Sequence, residues 1–557
     1  MNDISFQRTL SRVLALGGAG VTIFLVTGNV TDPVNAPKFF LLGGLAGAAI
    51  SLVAYLIIHK SFRITGLEML VSAFILWSLV SALFSSSPLS QGIYGVYGRN
   101  TGFLTYAFLG VIAIASTQLL TNSHHSWLLV GFLLALSVNL IYGLWVLLFG
   151  DFLGWQNNYG ALLGTFGNPN FISSFLGMGF SLVLALAVKA SHKKRALLIT
   201  SLPFIAWQLI ETESLQGLVV CALGATIVVF FWIRDRSKNS FYPLGYLVIG
   251  MAAAVTSIAG ALGSGPFKAA LSQPTIALRE QYWLAAVNMA KSHPVFGVGM
   301  DAYGDWYRRA RDSKALILPG AETVTNAAHN VFLDVLAYGG VPLLVVYLGI
   351  TGLGFLAIIR TAKRNKEYDH VFVGLTVLWL GYQVQSLISI NQIGLAVWGW
   401  ILNGSVIAYE MNSRNAPAKV LESKRVAKVE IFTPRSFSLL GALISLLISA
   451  PPIASDLNWR NVQKTGDVVK LEKSLEYRYL NPLNSYRLSE AVRLLENSKL
   501  PDYAIKYARI GVQFNSEYFD AWRNLYYATN STSTEKSRAK SEMIRLDPLN
   551  KAWRELK

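Results

Sequence analysis

At 557 residues the chain has the length of three or four soluble domains, yet 53% of its residues are hydrophobic, 14% are charged and its mean hydropathy is +0.42. A soluble core cannot absorb that much apolar surface, whereas lipid can. The formal net charge of +17 would suit a nucleic-acid binder only if the cations clustered, and the single Cys221 excludes an internal disulfide or a CxxC metal site.

In chain order, apolar runs able to cross roughly 30 Å of hydrocarbon lie near 13–30, 39–58, 67–85, 102–120, 127–149, 171–188, 196–210, 215–233, 241–262, 331–359, 370–388, 393–409 and 436–453. The expectation is an all-α, polytopic transmembrane helix bundle of about 13 spans, with 196–210 short and 331–359 long. Arg8 and Arg12 precede the first run, but no small-residue cleavage site follows and a second run starts almost at once, so the first is expected to be a helix and not a cleaved signal.

The distribution of cations tests this count. With a cytoplasmic N-terminus and alternating loops, the cytoplasmic pieces hold 21 lysines and arginines, including Lys419, Lys424, Arg425 and Lys428. The short outside loops hold only Lys38 and Arg99. That asymmetry follows the positive-inside rule, so the basic surplus reports topology and no nucleic-acid partner is expected. Two segments fall outside the membrane: an extracytoplasmic loop, 263–330, and a polar tail, 454–557, also extracytoplasmic, leaving 1–453 as the membrane domain. The loop has a helical pattern from Arg279 to Lys291 and then the turn-rich HPVFGVGMDAYG. In the tail Asn481, Asn515 and Asp547 recur at spacings of 34 and 32 residues, a period resembling degenerate tetratricopeptide repeats and suited to a protein partner.

Polar residues at the ends of apolar spans carry the functional signal, and here they gather on the outside. Lys38 precedes the second span and Arg99 the fourth. Asn168-Pro169-Asn170 caps the sixth, since proline tolerates a first turn and asparagine accepts from free N–H groups. Gln216 lies in the ETESLQG turn, Arg279 begins the loop helix, and His329 and Asn330 open the tenth span. Of seven histidines only His293 and His329 fall outside. Alone, an interfacial histidine is an ordinary structural residue and an arginine there snorkels to headgroups. Together they suit an anionic, phosphorylated lipid: arginines clamp phosphate oxygens bidentately, and histidine moves a proton near neutral pH. Asp334, the one acid well inside a span, is open between structural and functional roles. No outside carboxylate cluster has ligand-like spacing, so no metal is expected, and no Walker or Rossmann glycine motif is present, so neither is a nucleotide or other cofactor.

Four stretches, GRNTGFLTY (98–106), GTFGNPNFISSFLG (164–177), 279–304 through HPVFGVGMDAYG, and HNVFLDVLAYGGVPLL (329–344), resemble the O-antigen ligase/polymerase superfamily of bacterial membrane glycosyltransferases. The resemblance implies an inner-membrane enzyme that takes a glycan from an undecaprenyl-pyrophosphate-linked donor and passes it to a glycan or lipid acceptor hydroxyl on the outer face of the bilayer. It implies that Arg99 and Arg279 face the pyrophosphate and that His329 assists the acceptor, with Lys38, Asn168, Asn170, Gln216 and Asn330 as substrate-binding candidates. Two departures stand out. Many members carry an arginine where this chain has Gly160-Ala161-Leu162-Leu163, and a Ser-Arg-Gly-like turn where it has Ser214-Leu215-Gln216-Gly217. The rival reading is a transporter of a lipid-linked glycan or small anion, for which paired broken helices and an internal repeat would be expected. Neither is visible in the sequence.

Overall fold

The computed structural model describes residues 4–261, 264–265, 268, 274–414 and 433–556. Lys419, Lys424, Arg425 and Lys428 of the basic run lie outside them. The described residues form helices and no strand. Each apolar run meets a helix, although 13–30, 67–85 and 102–120 overrun theirs: α1 (Ile4–Ile23), α2 (Asn35–Ile58), α3 (Leu67–Leu83) and, past the short α4 (Leu89–Tyr94), α5 (Phe103–Ser116) and α6 (Asn122–Phe149). They continue as α7 (Pro169–Val188), α8 (His192–Ile210), α9 (Leu215–Arg236) and α10 (Phe241–Ala261). After α11 (Pro274–Ser292) and α12 (Tyr303–Ala310) of the long loop come α13 (Val331–Arg364), α14 (His370–Ile388), α15 (Ile393–Arg414) and α16 (Pro434–Thr465). Seven of these, α2, α6, α7, α9, α13, α14 and α16, are long and apolar enough to cross a membrane by length and composition, which makes this a multi-pass membrane protein.

Burial divides the helices as a bilayer demands. Trp379 of α14 and Trp398 of α15 are fully enclosed, whereas Ile141 and Leu148 of α6 and Leu443, Ile444 and Leu447 of α16 are exposed. Large apolar side chains facing outward along a helix are stable only against lipid or another protein. The main packing pairs are α2 with α16, α7 with α9, α1 with α6 and α5 with α15.

The length of α13 has a local cause. It breaks at Gly339 (φ −130°, ψ 16°) and Gly340 (φ 69°, ψ −167°), and the HPVFGVG turn occupies the break. Val298 N–H donates to Ala337 O at 2.8 Å, Gly299 N–H to Tyr338 O at 3.1 Å, and Val341 N–H to Pro294 O at 2.8 Å. The Trp77 indole donates to Gly339 O at 2.8 Å. Backbone groups freed by the kink thus find protein partners. A Cβ on Gly297 or on Gly340 would lie 2.4 Å from the facing backbone, so only glycine permits the approach. Two stretches that look separate in sequence are one joint.

Helix α16 continues out of the bundle into the tail, where Trp459 and Val462 enter a second hydrophobic core that extends to Trp553. There α17 (Val468–Ser474) is followed by α18 (Ser485–Asn497), α19 (Pro501–Phe514), α20 (Phe519–Tyr527) and α21 (Ser533–Leu546), each packed on the next from α18 onward. The recurring polar positions sit in the turns. Asn481 donates to Ser474 O and Glu476 O at 2.8 Å each, shaping its own turn. Asn515 donates to Asp305 at 3.1 Å, and Asp547 accepts from Arg308 at 3.0 Å and from Arg311 at 2.7 and 2.9 Å. These last two dock the tail onto α12 and the residue just after it.

Candidate functional site

Five connections converge on a cavity of about 820 Å³ at one end of the bundle. Its wall takes residues 27–35 from between α1 and α2, Gly98–Thr101 before α5, the α6–α7 connection, the start of α13 and residues 389–392 between α14 and α15. These are loops that the cation asymmetry assigns to a single side.

Arg99 reaches the cavity from a loop built on left-handed residues, Gly95 (φ 88°), Gly98 (φ 78°) and Asn100 (φ 54°). Asp301, fully buried, staples that loop. One carboxylate oxygen accepts from Val96 N–H at 2.7 Å and Thr101 N–H at 3.3 Å, and the other from the Tyr338 hydroxyl at 3.1 Å. Burial raises the Asp301 pKa above the usual carboxylate range, while the Val96 bond and the Arg99 charge pull the other way. Tyr338 and Asp334, both on α13, line the same cavity as Arg99.

His329 precedes α13 with φ 55°, a left-handed conformation that costs a non-glycine residue and persists where its surroundings impose it. They do. Ala328 N–H donates to Asp334 Oδ1 at 2.6 Å, and the Asn330 carbonyl oxygen of the side chain accepts from Phe332 N–H at 3.0 Å and Leu333 N–H at 3.2 Å, capping the helix. Asn330 is therefore used in setting the turn and does not line the cavity. The imidazole stacks on Tyr282 of α11. Burial first, then the charges of Arg99 and Arg279, lower its pKa from 6.5 to about 3, leaving it neutral.

Arg279 is not part of the cavity wall, yet it acts on His329 through its charge, and burial lowers its own pKa. Among the described residues neither Arg99 nor Arg279 has an ion-pair or hydrogen-bond partner for its guanidinium. The arginines of the tail junction contrast with them: Arg308 and Arg311 are paired with Asp547, Arg309 with Glu517 and Arg487 with Asp456. A half-buried guanidinium without a partner is costly in isolation and is a natural anion site.

The other sequence candidates divide. Asn168 and Asn170 line the cavity. Asn168 accepts from Asn170 N–H at 2.9 Å as the cap of α7, with Pro169 in its first turn, as the sequence led us to expect. Lys38 is not in the wall. It is completely enclosed, and its ammonium donates to the carbonyls of Val21 (3.3 Å) and Thr22 and lies 5.5 Å from the Phe166 ring. It thereby satisfies carbonyls that the end of α1 leaves open. Gln216 is likewise buried and outside the wall, its amide without a hydrogen-bond partner among the described residues. The two departures noted in the sequence are neighbours: Leu162 N–H donates to Glu211 O at 3.1 Å, and Ser214 caps α9 and donates to Asn170 at 2.7 Å. Here the chain forms a hydrogen-bonded joint that holds no arginine.

Several wall residues carry no local signal in the sequence. Asp32, Trp155, Tyr159, Gln392 and Arg460 lie in connections or on a helix far away in the chain, and only the tertiary fold brings them in. The buried Asp456 carboxylate holds the Asp32 segment from behind: it accepts from Thr31 N–H at 2.8 Å and Asp32 N–H at 2.9 Å, and is paired with Arg487 at 3.1 Å.

An all-helical, multi-pass membrane protein with a cation-lined cavity at one end of its bundle is the class that fold and site define. Residues 196–348 match the family model described as O-Antigen ligase. The match runs from α8 into α13, takes in Arg279 and His329, and supports the O-antigen ligase/polymerase superfamily and, with it, an O-antigen ligase-family membrane glycosyltransferase. No curated protein matches the chain.

Proposed function

We propose that the protein transfers a glycan from an undecaprenyl-pyrophosphate-linked donor to an acceptor hydroxyl at the outer face of the bacterial inner membrane, during assembly of a cell-surface polysaccharide. The observation that carries this reading is the pair of guanidiniums, Arg99 and Arg279, that find no partner among the described residues and whose charges act on His329.

In this reading the acceptor oxygen attacks the anomeric carbon, the bond from that carbon to the phosphate oxygen breaks with inversion, and undecaprenyl pyrophosphate leaves. The arginines neutralise charge that develops on the leaving group; preorganised cations in a site of low dielectric are worth several kcal/mol, about 10²–10³ in rate for a single donor. His329 takes the acceptor proton, a contribution of roughly 10²–10⁴. An imidazole held near 3, by burial first and then by two cations, is a weak base. A pyrophosphate beside those cations offsets their part of the shift, though not the larger part due to burial, so donor binding raises the basicity of the imidazole. The activated phosphate travels with the donor, and the reading requires neither a nucleotide nor a metal.

The orientation belongs to the same proposal: N-terminus cytoplasmic, about thirteen spans, cavity and tail outside. The tail, with its recurring turns, is read as tetratricopeptide-like and as a docking platform for a protein partner. The test is transfer of glycan from purified undecaprenyl-pyrophosphate donor by the full chain in nanodiscs, without nucleotide or added metal. We expect glycan-modified acceptor and released undecaprenyl pyrophosphate in equal amounts. Movement of lipid or anion across a vesicle wall with no transfer to any acceptor would establish the transporter reading instead.

A further inference from the structure

The connection from α6 to α7 holds an arrangement that the phosphate chemistry does not use. Asp151 accepts from Leu153 N–H at 2.9 Å, from the Tyr142 hydroxyl at 2.8 Å and from the Trp155 indole N–H. Asn157 accepts from Tyr159 N–H at 3.0 Å and Gly160 N–H at 3.2 Å, and donates to Ala161 O at 2.9 Å. The Tyr159 hydroxyl accepts from Asn168 at 3.0 Å. An exposed loop is seldom tied at so many points unless its shape is needed. The ties hold Trp155 and Tyr159 in the cavity wall, together with the exposed amides of Gln156 and Asn158. Among the described residues neither ring has an aromatic or cationic partner, and neither amide has a hydrogen-bond partner.

We propose that this loop is a pyranose-binding subsite for the glycan being transferred; the inference rests on the glycosyl-transfer reading above. One face of a pyranose ring presents polarised C–H bonds, which suit the negative face of an aromatic ring, while its rim presents hydroxyls that both donate and accept. Gln156 and Asn158 side chains likewise offer a carbonyl and an amino group each. Holding the rings in place beforehand lowers the cost of binding. An isoprenoid chain would match the rings but not the two amides set among them. The pyranose belongs either to the donor's glycan or to the acceptor's, and the two have separate readouts.

The test uses the full chain in nanodiscs and two probes: undecaprenyl pyrophosphate, and the glycan-bearing undecaprenyl pyrophosphate extracted from the producing cells. Wild type should bind the glycan-bearing lipid more tightly than the bare one. Trp155→Ala should weaken the glycan-bearing lipid by about tenfold and leave the bare lipid unchanged, Tyr159→Ala should act in the same direction, and Trp155→Phe should restore most of the loss. A donor affinity that stays level while the acceptor KM rises by about tenfold assigns the subsite to the acceptor's glycan. If bare lipid binds and transfer proceeds, but Trp155→Ala and Tyr159→Ala change neither quantity, the subsite is overturned and the transfer reading stands. Equal weakening of both lipids would assign the loop to the isoprenoid and overturn the subsite. Failure of wild type to bind either lipid would overturn both readings.

Discussion

The ring of Tyr282 stacks on the imidazole of His329, with centroids 5.4 Å apart and planes inclined by 30°. That contact joins the loop helix α11 to the turn that opens α13. Arg279 lies three residues before Tyr282, on the same face of α11, and the stack thus fixes where the Arg279 charge stands relative to the histidine.

The first prediction follows from that placement. Arg279→Ala should lower kcat by about 10² or more while the protein reaches the membrane in normal amount. Arg279→Lys should recover only part of it, because lysine keeps the charge and loses the planar fork that grips two phosphate oxygens. Steady-state transfer rates with matched protein levels check this. Wild-type rates in both variants would leave the donor site without its proposed clamp.

The second concerns acid. His329 is held at about 3 in the folded chain against an ordinary 6.5. As pH falls through 6.5 the unfolded chain takes up a proton that the folded chain refuses, so this residue draws stability away between 6.5 and about 3; above 6.5 it contributes no pH dependence. The thermal midpoint of wild type should therefore drop between pH 7 and pH 4.5 by more than that of His329→Gln. Parallel curves for the two proteins would place the imidazole in a more solvated setting than the cavity wall.

The third tests Asp301 as a positioning residue for Arg99. Asp301→Asn keeps the volume and one acceptor for the Val96 and Thr101 N–H groups, but removes the charge and turns the acceptor of the Tyr338 hydroxyl into a donor, which loosens the staple. A displacement near 1 Å costs about 10²-fold in rate. If the effect runs through Arg99, the double variant Asp301→Asn/Arg99→Ala should be no slower than Arg99→Ala alone, as coupled sites require. Additive losses would show that Asp301 acts on something else.

How much of this was legible beforehand depended on range. Helices and caps are local: each of the thirteen apolar runs meets a helix, though the first outlasts α1, and Asn168-Pro169-Asn170 caps α7 as its residue types demand. Arg99 and His329 were legible because polar residues at span ends are rare and fell on one predicted side. Lys38 bore the same signature and turned out to brace the end of α1. Whether an interfacial cation faces a cavity or a neighbouring carbonyl depends on the helix packed against it, and no local pattern carries that. Asp301 was hidden for a related reason. It lies about two hundred residues from the loop it staples, and its sequence context marks only a turn.

The fourth prediction concerns the tail. Arg311 and Asp547 have fully buried side chains, and Arg308 is nearly so. Asp547→Ala would leave the buried Arg311 guanidinium without a counter-ion and Arg308 with only the exposed Glu322 at 3.5 Å, at a cost of about 3–5 kcal/mol. The tail should then release α12: amide exchange should rise across 303–311 and the turns at 515–518 and 547–550, while α14 and α15 stay protected. Unchanged exchange at α12 would mean that Asn515 and the apolar contacts suffice to hold the tail.

The last prediction separates transfer chemistry from binding at His329. Its turn is set by backbone and neighbours, Ala328 N–H on Asp334 and Asn330 on the first turn of α13, so the side chain can be changed without undoing the cap. His329→Gln keeps a hydrogen-bonding side chain that cannot take a proton, and should lower kcat by about 10²–10⁴ with little change in donor affinity. His329→Ala should do the same and also remove the stack on Tyr282. The neutral imidazole gives a second readout. Because kcat reports groups in the complex and kcat/KM those of the free enzyme, the acid limb of kcat should lie at higher pH than that of kcat/KM, since bound pyrophosphate offsets the two arginines. Replacing Arg99 by glutamine should move the kcat/KM limb upward toward 6.5, in the direction that loss of a neighbouring cation requires. If His329→Gln retained most of the wild-type kcat, proton removal would have to be assigned elsewhere in the cavity, and Asp334, which faces it, would be the residue to replace next.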